Sequence, residues 1–201
     1  MNSLFREYLA WCLVHGFEIL GTITGLIYLY FSIRQKLLLW LFGILNAIFL
    51  LVVYWKSGIY AYMLLQIYYL VVSVYGWIHW VRGNPETHEL PFTRLNASKA
   101  FLFLAVSLAI GFAIYFLLRG FTDSDIPWLD AMTTAFSITA TWMLARKILE
   151  HWLVWIVVDS VLSGLYVVKH LYPMVLLFLV YTVMAVYGYS SWKKTIPAAA
   201  R

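Results

Sequence analysis

Long apolar stretches alternate with short polar ones along the whole chain. Most stretches approach the roughly 20 residues that a helix needs to cross a bilayer core about 30 Å thick. Seven such blocks can be marked, at 16–33, 37–55, 58–81, 98–119, 128–145, 150–168 and 171–192. The pattern therefore predicts an all-α integral membrane protein with seven transmembrane helices.

The composition excludes a water-soluble monomer. Of the 201 residues, 64% are hydrophobic and 11% are charged, whereas an ordinary soluble domain has about 25% charged residues. So few charges cannot cover a water-exposed surface, and seven spans leave no room for a separate soluble domain. The basic residues lie in pairs between apolar blocks rather than in one stripe, which argues against nucleic-acid binding.

The chain lacks the common motifs of enzymes and metal sites. A single cysteine leaves no CxxC pair, and neither a GxxxxGK[ST] loop nor an HExxH helix occurs. We therefore expect no enzymatic activity, no cofactor and no metal. The histidines lie near span ends or in loops, where we expect them to be interfacial or solvated: His15, His79, His88, His151 and His170.

The lysine and arginine residues predict the orientation of the chain, because cytoplasmic loops are enriched in both. With the N-terminus outside, ten of the 14 lie on the inner side and only Arg6, Lys56, Arg119 and Lys169 lie on the outer side. This distribution predicts an odd number of spans and a cytoplasmic C-terminus.

An internal repeat relates the second and third blocks to the sixth and seventh. Residue i matches residue i+112 without a gap over residues 34–82 and 146–194. The most specific pairs are Trp40 with Trp152, Gly76 with Gly188, and Trp80 with Trp192. Because the paired blocks are four spans apart, they cross the membrane in the same direction and form a parallel repeat.

The repeat predicts two bundles of three helices joined by a linker helix. The segments are an extracytoplasmic N-terminus 1–15, a first bundle 16–81, a cytoplasmic loop 82–97, a linker helix 98–119, a second bundle 128–192 and a cytoplasmic tail 193–201. Carriers built from such repeats bind their substrate near the membrane midplane between the halves. The repeat therefore favours a transporter over a receptor.

Few polar side chains lie at membrane depth, where a charge costs at least a few kcal/mol and suggests function. They are Glu18, Asn46, Gln66 and Asp159. Trp152, Trp155 and Asp159 stand at i, i+3 and i+7, so they share one helix face that would suit an aromatic, cationic ligand.

A structural interpretation of the same residues stays open. The tryptophans could form an interfacial belt, while Asp159 accepts structural hydrogen bonds from neighbouring helices. Asn46 and Gln66 could join helices through their amides. Glu18 lies near the outer end of its helix, where it could face water or hold the bundle together.

Five motifs along the chain carry a family resemblance. They are ExxGTxxGL at 18–26, FGxxN at 42–46, LLQ at 64–66, YGWxxW at 75–80 and WxxWxxxD at 152–159. Together they resemble the PnuC family of bacterial vitamin transporters, over nearly the whole chain from Glu18 to Lys194. The parallel repeat matches the SWEET-like arrangement of that family, with three helices, one linker helix and three more.

The resemblance implies an uptake facilitator in the bacterial inner membrane. The vitamin would cross down its gradient without a coupling ion, and a cytosolic kinase or pyrophosphokinase would then trap it. Carried over by motif, Trp152 and Trp155 would stack on the heterocycle, while Asn46 and Gln66 would hydrogen-bond its polar edges beside Asp159. The resemblance also allows a homotrimer.

One position of the family pattern bears on the substrate. Members that carry nicotinamide riboside tend to end the last motif in asparagine, whereas this chain has Asp159. A carboxylate could pair with the thiazolium of thiamine or accept from its aminopyrimidine. Nicotinamide riboside is also cationic and is the default substrate of the family, so it stands slightly ahead of thiamine. A SWEET-like sugar carrier and a non-transporting receptor are the more remote alternatives.

Overall fold

Seven helices make up the computed structural model, which describes residues 3–56, 60–83, 91–122 and 125–195. They are α1 (Ser3–Ile33), α2 (Leu38–Lys56), α3 (Tyr60–Arg82), α4 (Ala97–Phe121), α5 (Pro127–Ala145), α6 (His151–Val168) and α7 (Tyr172–Thr195). Within those ranges there is no strand, only an isolated bridge between Thr93 and Ile148. The prediction of an all-helical protein is confirmed.

Six of the seven helices are long and apolar enough to cross a membrane, by length and composition. The exception in the part of the chain that the structure describes is α5, for which the sequence also predicted a span. Ten of its 19 residues are buried. Its hydroxyls bond carbonyls one turn back, as when Ser137 donates to Thr133 at 2.8 Å and Thr141 to Ser137 at 2.9 Å. A helix enclosed by protein can carry such side chains, because each finds its partner on the helix itself.

The helix ends differ from the predicted blocks at two places. Helix α1 begins at Ser3, although its candidate span is Gly16–Ile33, so the predicted N-terminal segment 1–15 is largely helical. Helix α7 continues to Thr195, past the predicted bundle boundary at 192. The predicted loop 82–97 and the predicted tail 193–201 lie in part outside the described residues, at 84–90 and 196–201.

The chain divides into two compact units, residues 1–81 and 82–201. The first contains α1, α2 and α3. The second contains α5, α6 and α7 together with α4, which the sequence predicted as a separate linker helix. Helix α4 packs on α5, where Ser107 donates a 2.8 Å hydrogen bond to Thr139 and Gly111 lies close to Met132.

Each unit contains the same contact between a tryptophan and a glycine. In the first unit, the indole of Trp40 on α2 lies against Gly76 on α3 and meets Trp80 edge-on at 5.5 Å between ring centroids. In the second unit, Trp152 on α6 lies against Gly188 on α7 and meets Trp192 edge-on at 5.9 Å between ring centroids. The sequence repeat is therefore also a repeat of local packing.

The turns that precede α2 and α6 also share their backbone geometry. Gln35 and Lys147, which match in the repeat, both have left-handed φ angles, of 56° and 54°. Their amides bond the carbonyls three residues back, at 3.1 Å and 2.8 Å. This is the left-handed residue that ends many helices, so each turn closes one helix and starts the next in the same way.

We expect alanine at Gly76 or Gly188 to destabilise the protein. A Cβ at Gly188 would lie 2.7 Å from the indole of Trp152, and a Cβ at Gly76 would clash with Trp40 in the same way. Overpacking of this kind typically costs about 1–3 kcal/mol. Thermal unfolding in detergent should show a lower melting temperature for both variants.

Gly164→Ala is the matched control, because no atom lies within 4 Å of a Cβ built at that position on α6. Its melting temperature should stay unchanged or rise, since alanine favours helix over glycine. Equal melting temperatures for all three variants would contradict the packing that we describe.

Candidate functional site

Asp159 is the buried charged group of α6. Its side chain is 5% exposed, and no cation or hydrogen-bond donor pairs with it in the part of the chain that the structure describes. Its charge acts on Tyr181 of α7, the helix that packs on α6. A buried carboxylate normally requires a partner, because removal from water costs several kcal/mol. Asp159 is thus the side chain in the second unit that is best suited to receive a ligand.

Trp155 lies one helical turn before Asp159 on the same face of α6. Its side chain is half-buried, and across the described ranges its indole makes no contact with another ring. An indole face beside a carboxylate can bind a flat cation, through stacking and cation–π attraction. Trp155 and Asp159 are therefore the two predicted residues that the structure brings together.

Trp152 has a different environment from Trp155. It is 2% exposed, it lies against Gly188, and its ring contacts His151 at 4.5 Å and Trp192 at 5.9 Å. Trp40 is equally buried and makes the equivalent contacts in the first unit. The structure therefore shows Trp152 in a packing contact, which its match with Trp40 in the repeat also indicates. That Trp152 stacks on the substrate stays a prediction.

Asn46 on α2 is engaged in a contact between helices. Its Nδ2 donates to the carbonyl of Gly21 at 2.6 Å and lies 3.5 Å from the hydroxyl of Thr24, both on α1. The side chain is half-buried. This hydrogen bond holds α1 against α2, which agrees with the structural interpretation of Asn46 that the sequence left open.

Gln66 on α3 is the buried amide of the first unit. Its side chain is 5% exposed, and its Oε1 has no hydrogen-bond partner among the described residues. An unsatisfied buried acceptor costs about 1–3 kcal/mol. A donor supplied by a ligand would remove that cost, so Gln66 stays a candidate contact.

Glu18 on α1 differs from Asp159 in exposure. Its side chain is exposed, and the structure gives it no contact with Asn46 or Gln66 among the residues of its own unit that it describes. Its exposure fits the interpretation that the sequence left open, in which Glu18 faces water or holds the bundle together.

The two copies of the repeat differ where the candidate ligand residues lie. Trp155 and Asp159 on α6 correspond to Gly43 and Ala47 on α2. Gln66 on α3 corresponds to a phenylalanine on α7. The tryptophans and glycines of the packing contacts are present in both copies, whereas the polar candidates occur in one copy each. The residues present in both copies are thus those of the packing contacts, and the residues present in one copy are the candidates for binding.

His151 is buried, although its place near a span end predicted an interfacial or solvated side chain. It is 0% exposed and lies between Trp152 and Trp192, at 4.5 Å and 4.9 Å between ring centroids. Its Nδ1 donates to the carbonyl of Ile148 at 2.7 Å, while its Nε2 has no partner among the described residues. The match of His151 with Leu39, which is also 0% exposed, indicated this burial.

The chain is similar to known transporters along most of its length. Residues 15–194 match the family described as nicotinamide mononucleotide transporter. The nicotinamide riboside transporter PnuC of Escherichia coli (strain K12) is 25% identical, and the match covers 87% of this chain and 84% of that protein. The riboflavin/roseoflavin transporter RibM of Streptomyces davaonensis is 26% identical, and the match covers 79% of this chain and 73% of RibM.

A crystal structure of the vitamin B3 transporter PnuC has the same fold. Its TM-score is 0.73 at 24% sequence identity, and the match covers 94% of this chain and 85% of that one. At this level of identity, the likeness establishes the fold alone.

We expect Trp152→Phe and Trp40→Phe to behave alike, because both rings pack on a glycine in the same way. Both variants should have a lower melting temperature, with a cost of about 1–3 kcal/mol for the lost ring contacts. Ligand affinity, measured by calorimetry with nicotinamide riboside and with thiamine, should change less than threefold in either. Trp155→Ala should instead lower affinity about tenfold, which is about 1.4 kcal/mol.

Trp40→Phe is the control for Trp152→Phe. A loss of affinity in Trp152→Phe that is absent from Trp40→Phe, at similar melting temperatures, would show that Trp152 contacts the ligand. Unchanged affinity in Trp155→Ala would show that Trp155 does not contact it.

Proposed function

Because this chain belongs to the nicotinamide mononucleotide transporter family, which includes the PnuC proteins that its motifs resemble, we propose that it takes up a cationic N-heterocyclic vitamin. Its family makes it a multi-pass membrane transporter of the bacterial inner membrane rather than an enzyme. The proposed substrate is nicotinamide riboside, with thiamine as the second candidate.

The observation that carries the proposal is the unpaired burial of Asp159. Its side chain is 5% exposed, and no described lysine, arginine or histidine forms an ion pair with it. An ionised carboxylate in that environment is stabilised by a cation. Nicotinamide riboside supplies a pyridinium and thiamine a thiazolium, and the face of Trp155 can attract either ring. The neutral ring system of riboflavin, a substrate of the relative RibM, would make less use of the charge.

The order of the two candidates follows from the relatives. The E. coli relative is a nicotinamide riboside transporter, which favours that vitamin. The carboxylate suits both vitamins, because it could accept from the aminopyrimidine and pair with the thiazolium of thiamine, or accept from the ribose hydroxyls and pair with the pyridinium of nicotinamide riboside. A neutral sugar would supply no cation to pair with the charge of Asp159.

Facilitated diffusion with metabolic trapping is the proposed mechanism. Substrate would cross down its gradient, and a cytosolic kinase or pyrophosphokinase would add phosphate groups that prevent its return. We also propose that the helices follow the SWEET-like order of three helices, one linker helix and three helices. The local packing that α2 and α3 share with α6 and α7 supports that order.

We expect Asp159→Ala to weaken binding of the cationic vitamin at least tenfold, which is about 1.4 kcal/mol. Alanine removes both the charge and the hydrogen-bond acceptor. Asparagine is the residue that members carrying nicotinamide riboside tend to have here, so Asp159→Asn should weaken binding of thiamine more than binding of nicotinamide riboside. Calorimetric titration in detergent measures the affinity for nicotinamide riboside, thiamine and riboflavin separately. Uptake into liposomes without an ion gradient should fall in Asp159→Ala.

Glu18→Ala is the matched control, since it makes the same kind of change at an exposed acidic residue. Its affinity should stay within twofold of the wild type. Equal affinity in Asp159→Ala and wild type would contradict the proposed site. Glucose uptake that survives Asp159→Ala would favour the sugar carrier, and flux that strictly requires a proton or sodium gradient would contradict facilitated diffusion.

We propose that the N-terminus lies outside and the C-terminus in the cytoplasm, as the distribution of lysine and arginine indicates. After replacement of the single native cysteine by serine, a cysteine at Lys194 should react with an impermeant maleimide only when the inner face of the membrane is accessible. A cysteine at Lys56 should react from the outside. The reverse pattern would contradict the orientation.

A further inference from the structure

The segment that leads into α4 is attached to the turn that leads into α6. We define this segment, residues 92–95, as the strap. The amide of Thr93 donates to the carbonyl of Lys147 at 3.1 Å, and the amide of Leu149 donates to the carbonyl of Thr93 at 3.1 Å. The strap therefore pairs with the turn through the backbone, in parallel orientation.

Glu150 adds the side-chain part of this attachment. Its Oε2 accepts from the amide of Leu95 at 3.1 Å, and its Oε1 accepts from Nε of Arg94 at 3.4 Å. The Glu150 side chain is 18% exposed, compared with 39% for Arg94. Both oxygens of the carboxylate are thus used on the strap, at the residue directly before α6.

Phe92 provides a second route from the strap to α6. Its ring meets Trp192 of α7 edge-on at 5.6 Å, and the ammonium of Lys147 lies 4.6 Å from its centroid. Trp192 in turn contacts Trp152 of α6 at 5.9 Å. The strap therefore contacts the start of α6 by two routes. One runs directly through Glu150, and the other runs through Trp192 to Trp152.

The first copy of the repeat shows that the turn itself does not require the carboxylate. The position of Glu150 is occupied there by Leu38, yet α2 begins at that residue and its turn has the same hydrogen bonds. The strap precedes α4 and lies outside the repeated residues 34–82 and 146–194, so the first copy has no counterpart for it. The copy that has a strap therefore has Glu150, and the copy without a strap has Leu38 at the same position.

We propose that Glu150 is a positioning residue for the transport site, which fixes the start of α6 through the strap and so holds Trp155 and Asp159 in place. Asp159 follows Glu150 by nine residues, roughly 13 Å along the helix axis, over which a helix moves as one body. The inference rests on the proposed function, because it assigns the strap to the same ligand site.

The test compares Glu150→Leu, which introduces the residue of the first copy, with Glu150→Gln, which keeps an acceptor for the Leu95 amide. Glu150→Leu should lower the affinity for nicotinamide riboside or thiamine at least fivefold in the full chain. Glu150→Gln and Arg94→Leu should stay within twofold, since exposed ion pairs contribute little. Phe92→Leu, which weakens the second route, should reproduce the loss of affinity if Glu150→Leu does not fold.

Hydrogen exchange of the backbone amides provides a measurement that needs no ligand. In Glu150→Leu the amides of 152–155 at the start of α6 should exchange faster, while those of 40–43 at the start of α2 should not change. Gly76→Ala, a destabilising change in the first unit, is the control for general loss of stability.

The outcomes separate this proposal from the proposed function. Faster exchange together with weaker binding in Glu150→Leu, but not in Gly76→Ala at a comparable melting temperature, supports a positioning role. Unchanged exchange, or faster exchange with unchanged affinity, overturns it. If the wild type binds neither vitamin, the proposed function fails, the positioning role falls with it, and exchange alone decides whether the strap holds α6.

Discussion

The contact of an indole ring with a glycine, made once in each unit, determines how the helices of the repeats can pack. In lipid there is no hydrophobic drive between apolar helices, so association depends on close van der Waals packing at small residues. Gly76 and Gly188 allow α3 and α7 to approach the rings of Trp40 and Trp152 at distances that no side chain would permit. The position of α6, and of every residue on it, depends on this approach.

The contact of Trp152 with Gly188 also bears on which residues of α6 we propose as ligands of the substrate. Trp152 fills the space over Gly188, so its face is not accessible. Trp155 and Asp159 lie further along the helix. They correspond in the first copy to Gly43 and Ala47, which themselves carry neither a ring nor a charge. The fold needs the duplicated residues in both copies, whereas a single asymmetric substrate needs each chemical group only once.

Sequence patterns predicted the helices better than the roles of individual side chains. Apolar blocks identify spans because the bilayer sets their length. In a membrane, however, the face of a helix toward lipid and the face toward protein are both apolar, so the pattern does not show which tryptophan is enclosed. Trp152 and Trp155 are three residues apart and were given one role, although Trp152 is 2% exposed and Trp155 is only half-buried. Burial of His151 was missed for the same reason. Helix α5 is too polar to count as a candidate span, although its hydroxyls of Ser137 and Thr141 bond carbonyls of the same helix.

Burial decides between the two acidic residues that the sequence placed at membrane depth. Glu18 is exposed near the outer end of its helix, whereas Asp159 is 5% exposed and has no cationic partner among the residues described. A structural hydrogen-bond network would have supplied donors to Asp159, as α1 supplies an acceptor to Asn46. An enclosed charge without such donors lowers the stability of the empty protein. The cationic substrate that we propose would offset that cost on binding, so the proposed site would favour binding at the expense of stability.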